Sequence, residues 1–293
     1  SLEKNTELKD MILDETPWLT EAKTETEQKR MLAALFDANT INARTQTALA
    51  KLQKLQNADG SWSWWQGMSG STFMTQAIAT IMARMKTFTG NDIADNMLNK
   101  AMKYLDVEMT KTVSEMKAEE KKGHTQTFPS ATALEYLYTN ALLSRTPSGN
   151  RAKATDYLVS LLKKEQKTMS MFAKAMAAIV LDSHGDSRKA KTYLKSIVEH
   201  TVCTEAAGRY FDSFRAVSTW RDYKIPTQTM AIEALCKVGD DNGKYATTIA
   251  EMQRWLLQEK RTQTWDTPIS SIDAINAFLT PIKGRQSPLA VNS

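Results

Sequence analysis

The chain has 293 residues, 42% apolar and 24% charged, so it can bury a substantial core without disulfides or metals. Its net charge of +5 comes from 38 basic and 33 acidic residues mixed along the chain, which argues against nucleic acid as a partner. Strong helix formers dominate, and no apolar run approaches the ~20 residues of a membrane span. The composition predicts an all-α protein that does not span a membrane in this segment.

Residues 1–23 are predicted to be a lead-in segment, and from Thr24 the apolar residues recur at helical spacing. Two kinds of helix alternate after that point. The first kind is rich in small residues, which permit close helix approach and suit an inner layer. It is predicted at Thr24–Ala38, Ser71–Lys86, Thr127–Ser144, Met169–His184, Pro226–Val238 and Thr267–Leu279.

The second kind of helix is more charged and carries one apolar stripe opposite a solvated face. It is predicted at Ile41–Leu55, Asn91–Lys121, Asn150–Glu165, Ser187–His200 and Lys244–Lys260. Alternating inner and outer helices are typical of a closed α/α toroid or of an open repeat array. Because the units differ widely in length, we predict one toroid domain over residues 1–293. It has about six inner and five or six outer helices and a C-terminal tail at 281–293.

Tryptophans mark two of the corners between predicted helices. In Leu52–Met68, Asn57, Asp59 and Gly60 break a helix because they tolerate turn dihedrals. Three tryptophans follow, and since each indole can bury ~150–250 Å² we expect all of them inside the structure. A second corner carries two more. The predicted structural corner residues are Trp62, Trp64, Trp65, Trp255 and Trp265.

The segment Gly208–Tyr223 is rich in aromatic residues and arginine, which are the residues that anchor interfaces. It is therefore the candidate interaction surface, and the alternative is a structural plug over one end of the barrel. The candidate contact residues are Arg209, Tyr210, Phe214, Arg215, Trp220 and Arg221.

No residue pattern predicts a metal or a cofactor. The histidines His124, His184 and His200 have no HExxH or CxxC partner, and the last two lie near predicted helix C-termini, where a helix dipole favours them. The cysteines Cys203 and Cys236 could form a disulfide or remain as free buried thiols.

Carboxylates offer an alternative, because α/α toroids also host glycosidases and lyases, which need two acids facing one cleft. The candidate acids are Asp59, Asp222, Asp266 and Asp273. Asp59 is more simply a turn former, and Asp266 a helix N-cap before Thr267 and Pro268.

Several motifs together resemble the bacterial alpha-2-macroglobulin family. They are Glu15–Leu19 (ETPWL), Leu52–Met68, Ser71–Ala79, Ser218–Gln228 (STWRDYKIPTQ) and Met252–Thr267 (MQRWLLQEKRTQTWDT). The similarity covers nearly the whole chain and corresponds to the thioester, or complement-like, α/α-toroid domain of those large envelope proteins. The resemblance thus implies that the chain is excised from a much longer multidomain protein.

The resemblance also raises the question of an internal thioester, which family members form from a Cys-x-Glu-Gln motif. The nearest match here is Cys203-Thr-Glu-Ala206, where Ala206 has no carboxamide to form the bond. The family motif also lies early in the toroid, whereas Cys203 lies in the C-terminal half. The motif is either upstream of Ser1 in the parent chain or absent from it.

The resemblance implies a non-enzymatic toroid domain in the periplasm or cell envelope, although this segment contains no signal peptide. Its partners would be the neighbouring domains of its parent chain and proteases, which the parent traps or inhibits. The alternative function is an α/α-toroid carbohydrate-active enzyme, a lyase or glycosidase that uses aspartic acids.

Overall fold

The structure, a computed structural model, describes residues 38–89, 94–164, 169–211, 224–239 and 243–262, together with positions 273, 276, 277 and 280. The predicted lead-in 1–23, most of the predicted helix Thr24–Ala38 and the tail 281–293 lie outside these residues.

Nine helices and one two-stranded hairpin occupy the described residues, which confirms the all-α prediction for this part of the chain. The helices are α1 Ala38–Leu55, α2 Thr72–Thr89, α3 Asp95–Lys121, α4 Ala131–Leu142, α5 Gly149–Lys163, α6 Met171–Ser183, α7 Ser187–Glu199, α8 Lys224–Val238 and α9 Ala246–Thr262. Each overlaps a segment that its periodicity predicts. The expected break between Ala38 and Ile41 is wrong, because α1 already begins at Ala38. The Asn39-Thr40 pair lies in the first turn of α1, where such residues are tolerated.

Three helices, α4, α6 and α8, are buried on all sides. Buried residues run without interruption through 133–140, 174–181 and 227–236. A helix with no solvated face lies in the interior of a fold. Ser130 and Ser170 begin α4 and α6 by accepting hydrogen bonds from the backbone N–H groups of Ala133 and Ala173.

The helices between them bury only one stripe. In α7 the buried residues are Ala190, Tyr193, Leu194 and Ile197, at the spacing of one helix face. In the packing, α2 contacts α4, α4 contacts α6, and α6 contacts α8. The helices α3, α5, α7 and α9 each pack against members of that series. The described residues therefore form two kinds of helix in alternation.

A β-hairpin after α7 was not predicted. Strand β1, Val202–Thr204, pairs antiparallel with β2, Gly208–Tyr210, so that Val202 lies opposite Tyr210. β2 packs against α9. Gly208 has φ +78°, and a Cβ there would lie 2.5 Å from the carbonyl oxygen of Glu251, so only glycine fits. Strands of three residues are too short to show a periodicity of two in the sequence.

Candidate functional site

The first tryptophan corner is built on the turn after α1. The backbone N–H of Asn57 donates to the carbonyl of Ser61 at 2.8 Å, and Gly60 has φ +91°. Trp62 is only 2% exposed, its indole N–H donates to the carbonyl of Leu52 at 2.9 Å, and its backbone N–H donates to Thr75 Oγ1 at 2.9 Å. Trp62 thus joins the end of α1 to the start of α2, as a structural corner residue should.

The expectation that Trp64 and Trp65 are buried is wrong. Trp64 is 55% exposed and Trp65 is 71% exposed. We call residues 61–70 the aromatic loop. Its two ends meet, because the N–H of Ser71 donates to the carbonyl of Trp62 at 2.8 Å and the Ser63 hydroxyl donates to the carbonyl of Met68 at 2.8 Å. Because the ends of the loop are joined in this way, residues 64–67 form its tip, and this tip faces solvent.

Of the second corner, the structure describes Trp255. Trp255 is 3% exposed and stacks on Tyr210 with ring centroids 5.8 Å apart. Arg209 Nε donates to Glu251 Oε2 at 2.7 Å, and its Nη1 donates to Thr201 Oγ1 at 3.0 Å. Both predicted contact residues in this region, Arg209 and Tyr210, are half-buried and hold β2 against α9. The other candidate contact residues and one corner residue lie outside the described residues: Phe214, Arg215, Trp220, Arg221 and Trp265.

Among the described residues, buried charged side chains come together where α2, α4 and α8 meet. We call Arg84, Tyr138, Glu233, Asp273 and Asn276 the central ionic cluster. The Tyr138 hydroxyl lies 2.7 Å and 2.8 Å from the two carboxylate oxygens of Glu233, and Asn276 Nδ2 donates to Glu233 Oε2 at 2.6 Å. Arg84 Nη1 pairs with Asp273 Oδ1, its Nε donates to the Tyr138 oxygen at 3.1 Å, and its Nη2 lies 3.7 Å from Glu233. All five residues are buried.

Among the described residues, the cluster and the neighbouring Lys237 contribute equal numbers of cations and carboxylates. Lys237 Nζ lies 3.7 Å from Glu233 Oε1, so two cations face two carboxylates. Burial alone would lower the pKa of Arg84, but the attraction of Asp273, Tyr138 and Glu233 raises it above its ordinary value. Burial, with the neighbouring Glu233 carboxylate, raises the pKa of Tyr138 well above its ordinary value, even though Arg84 opposes the shift. The phenol therefore keeps its proton at neutral pH and donates it to Glu233.

Sequence reasoning placed only Asp273 of this cluster among the candidates. It missed Arg84 and Glu233, although polar residues recur along one face of α2 at Gln76, Thr80 and Arg84. Gln76 and Thr80 join α4 through the hydroxyl of Thr139, at 2.8 Å and 2.9 Å. A stripe of polar residues on an otherwise buried helix was the signal for a polar interior.

Asp59 is the other candidate acid that the structure describes. Asp59 Oδ1 accepts hydrogen bonds from the backbone N–H of Ser61 at 3.0 Å and from its hydroxyl at 2.6 Å, as a turn former does. Asp222 and Asp266 lie outside the described residues. The second buried carboxylate beside Arg84 comes instead from Glu233.

The histidines and cysteines are separate from one another. His184 and His200 cap the C-termini of α6 and α7, and their Nδ1 atoms lie 2.9 Å and 2.6 Å from backbone carbonyls one turn back. His124 contacts Glu119 on the surface. Among the described residues, no group of three or more His, Cys, Asp or Glu side chains could hold a metal. Cys203 is exposed and Cys236 is buried, and both are free thiols.

None of the described helices is both apolar enough and long enough to cross a bilayer. Comparison of the sequence with models of known protein families gave no match. Comparison with curated proteins gave no match either. The resemblance to the bacterial alpha-2-macroglobulin family therefore stays a prediction from the motifs quoted above.

Proposed function

We propose that the chain is a non-enzymatic α/α-toroid domain of an alpha-2-macroglobulin-like cell-envelope protein. It contributes to protease trapping through contacts with neighbouring domains and with proteases. The observation that carries the proposal is the central ionic cluster. It links helices distant in sequence through side chains that are buried, paired and charge-balanced.

Ring closure is supported by the distance in sequence between cluster members. Arg84 on α2 contacts Glu233 on α8 and Asp273, which follows Arg84 by 189 residues. In an open array each repeat contacts only its neighbours. The series α2, α4, α6 and α8 would then keep its first and last members apart. Contact between them favours a series that curves back on itself.

A chemically silent interior is supported by how the polar groups of the cluster are used. General acid–base catalysis needs a group that can exchange a proton with a substrate within hydrogen-bond reach. The Glu233 carboxylate instead accepts hydrogen bonds from Tyr138 and Asn276, and the Asp273 carboxylate accepts one from Arg84. Separating buried charges of this kind costs free energy, so the cluster holds its helices together in the interior.

Protease trapping can be tested on the full-length protein that contains this chain. The protein is mixed with an endopeptidase, and cleavage of a large protein substrate is compared with cleavage of a small chromogenic peptide. A trapped protease should lose activity on the large substrate and keep it on the small one. Equal activity on both substrates, with and without the protein, would reject the trapping role.

A carbohydrate-active enzyme is the second candidate, because two carboxylates and a phenol from different helices meet at Arg84. The purified chain is incubated with a panel of neutral and acidic polysaccharides, and new reducing ends and unsaturated products are measured. We expect none above buffer. Turnover that disappears in Asp273→Asn or Glu233→Gln, with the fold intact by circular dichroism, would favour the enzyme instead.

A further inference from the structure

An exposed apolar surface lies at the tip of the first corner. Leu55, Trp64, Trp65 and Met68 are 54%, 55%, 71% and 52% exposed, and we call these four residues the aromatic patch. Three of the four lie within residues 64–68, and a concentration of exposed large apolar side chains is typical of a contact site. Trp64 and Trp65 are adjacent in sequence, and the backbone N–H of Met68 donates to the carbonyl of Trp65 at 3.2 Å.

Local contacts fix the Trp64 indole and the base of the aromatic loop. Trp64 stacks on Phe73 of α2 with ring centroids 6.0 Å apart and an angle of 12° between the planes. Asn57 Nδ2 donates to the hydroxyls of Ser61 and Ser63 at 3.0 Å and 2.7 Å, which fixes the base of the aromatic loop. The exposed patch therefore lies on a loop that hydrogen bonds and the buried Trp62 hold in place.

Four lysines lie on α1 and α3, the two helices next to the turn that carries the aromatic loop, and we call Lys51, Lys54, Lys100 and Lys103 the basic rim. Lys51 lies one helical turn before Leu55 on α1. Lys100 on α3 lies against the turn, because its carbonyl oxygen would be 2.4 Å from a Cβ on Gly60. All four lysines are exposed, and the structure gives none of them an ion pair with a described residue.

The acids of the turn before the aromatic loop and of the start of α3 are fewer than the four lysines of the rim. Residues 61–70 contain no ionisable side chain. The acid of the preceding turn, Asp59, accepts two hydrogen bonds from Ser61. At the start of α3, Asp95 is paired with Lys86 at 2.6 Å. The result is an aromatic tip without charge, beside positive charge on two helices.

We propose that the aromatic patch and its basic rim form a peripheral docking site for an anionic lipid bilayer. The indoles of Trp64 and Trp65 would enter the interfacial region, where tryptophan is enriched in membrane proteins. The lysine ammonium groups would contact the phosphate groups of anionic lipids, whose surface potential attracts basic clusters. The separation of apolar tip and basic rim matches the layering of the bilayer surface.

The size of the patch favours a bilayer over a protein partner. The two indoles, of ~150–250 Å² each and 55% and 71% exposed, offer roughly 200–300 Å². Leu55 and Met68, about half exposed, are smaller side chains and add less than the indoles do. A stable protein–protein interface buries about 800 Å² on each side. Shallow insertion of two rings has no such threshold, because the rim adds electrostatic attraction. The proposal goes beyond the proposed function, since it concerns where the chain lies and not what it inhibits.

Vesicle binding tests the proposal directly. The chain is mixed with large unilamellar vesicles of roughly one-third phosphatidylglycerol and two-thirds phosphatidylcholine, and with vesicles of phosphatidylcholine alone. Co-sedimentation measures binding, and tryptophan emission reports transfer of indoles into a less polar environment. We expect binding and a blue shift with the anionic vesicles, and at least tenfold weaker binding to the neutral ones. Salt should weaken the binding to the anionic vesicles and reduce its blue shift.

Matched variants separate the patch from the general positive charge of the chain. Trp64→Ala with Trp65→Ala should abolish the blue shift and most of the binding. Lys100→Gln with Lys103→Gln should weaken anionic binding roughly tenfold. Lys153→Gln with Lys164→Gln removes the same charge from exposed positions of α5 and its C-terminus, and should leave binding unchanged. Circular dichroism melting confirms that each variant is folded.

Three results would overturn the proposal. The first is no binding to anionic vesicles. The second is an equal loss of binding in the Lys100/Lys103 and Lys153/Lys164 variants, because attraction would then come from overall charge. The third is self-association that is lost in the double tryptophan variant without vesicle binding, which would make the patch a protein contact. Light scattering without vesicles measures the last of these.

Discussion

At the scale of single residues, burial decides which charges and thiols can change state. The guanidinium of Arg84 lies in the interior because Glu233 and Asp273 surround it, and those carboxylates in turn depend on its charge. Removing one partner of a buried ion pair costs far more than the pair contributes as a whole, since a bare charge then stays in a medium of low dielectric constant.

Arg84→Met should therefore destabilise the chain by about 3–5 kcal/mol, because buried Asp273 loses Arg84 and buried Glu233 keeps only the half-buried Lys237. The measurement is the free energy of unfolding from urea titration. Lys111→Met is the control, because Lys111 is exposed and lies 3.9 Å from Glu108 on the same helix, so its loss should cost about 0.5 kcal/mol or less. A cost for Arg84→Met no greater than that of the control would contradict a buried ionic fastening.

The two thiols should react at very different rates. Exposed Cys203 should react with a disulfide reagent at pH 8 in the native chain, whereas burial raises the pKa of Cys236 from 9.0 to about 12 and keeps it protonated. Counting released thiolate should give one fast thiol before unfolding and two after it. Cys203→Ser should remove the fast one; a fast reaction that survives this change would mean that Cys236 is accessible.

The raised pKa of Cys236 also makes the free energy of unfolding depend on pH. The folded-state pKa of Cys236 lies above the unfolded value of 9.0, so its contribution to stability is complete below about pH 9. It should be lost progressively as the pH rises from about 9 towards 12. The free energy of unfolding of wild type and of Cys236→Ala, measured at pH 7 and pH 10, should converge at the higher value. A constant difference between the two would be the opposite result.

At the scale of elements, the helices follow from local sequence, while the hairpin follows from its contact with α9. Periodicity predicted α4 and α6 with starts at Thr127 and Met169, whereas Ser130 and Ser170 cap them a few residues later. β1 and β2 hold three residues each and depend on the fit between Gly208 and Glu251. A short strand of this kind is stabilised by the surface on which it packs.

Gly208→Ala should destabilise the chain by more than Gly185→Ala. Their φ angles are +78° and +79°, so the dihedral strain of about 1–2 kcal/mol is shared. At Gly185 a Cβ meets nothing within 4 Å, whereas at Gly208 it would lie 2.5 Å from a backbone oxygen. Urea titration should show the extra cost at Gly208 alone, and equal costs would mean that the hairpin can move away from α9.

At the scale of the whole molecule, the question is whether the helices close into a ring. Along the series of helix contacts, α2 and α8 are connected through α4 and α6. The central ionic cluster nevertheless joins side chains of α2, α4 and α8 directly. Coupling between such distant positions is a property of the tertiary structure and can be measured.

A double-mutant cycle between Tyr138→Phe on α4 and Glu233→Gln on α8 should give a coupling energy of about 1–3 kcal/mol, because the phenol and carboxylate oxygens lie 2.7 Å apart. The same cycle between Tyr138→Phe and Lys111→Met should be additive within about 0.5 kcal/mol. Additivity in both cycles would mean that α4 and α8 are not joined across the interior.

The sequence by itself determined the helices, their alternation in character and the turn that precedes Trp62. These properties depend on residues a few positions apart, so periodicity, N-caps and turn formers were enough to read them. The outward direction of Trp64 and Trp65 was not readable in this way. All three indoles are equally apolar. Only the closed path of the aromatic loop places Trp62 inside and Trp64 and Trp65 outside.

Only the tertiary structure decided the central ionic cluster. Asp273 looked like a candidate catalytic acid in the sequence, and Arg84 and Glu233 looked like ordinary residues of their helices. Their environment depends on partners up to 189 positions away, which no local pattern encodes. Burial at the meeting point of several helices turned these residues into paired charges, because an ionic group can stay in an interior only where opposite charge reaches it.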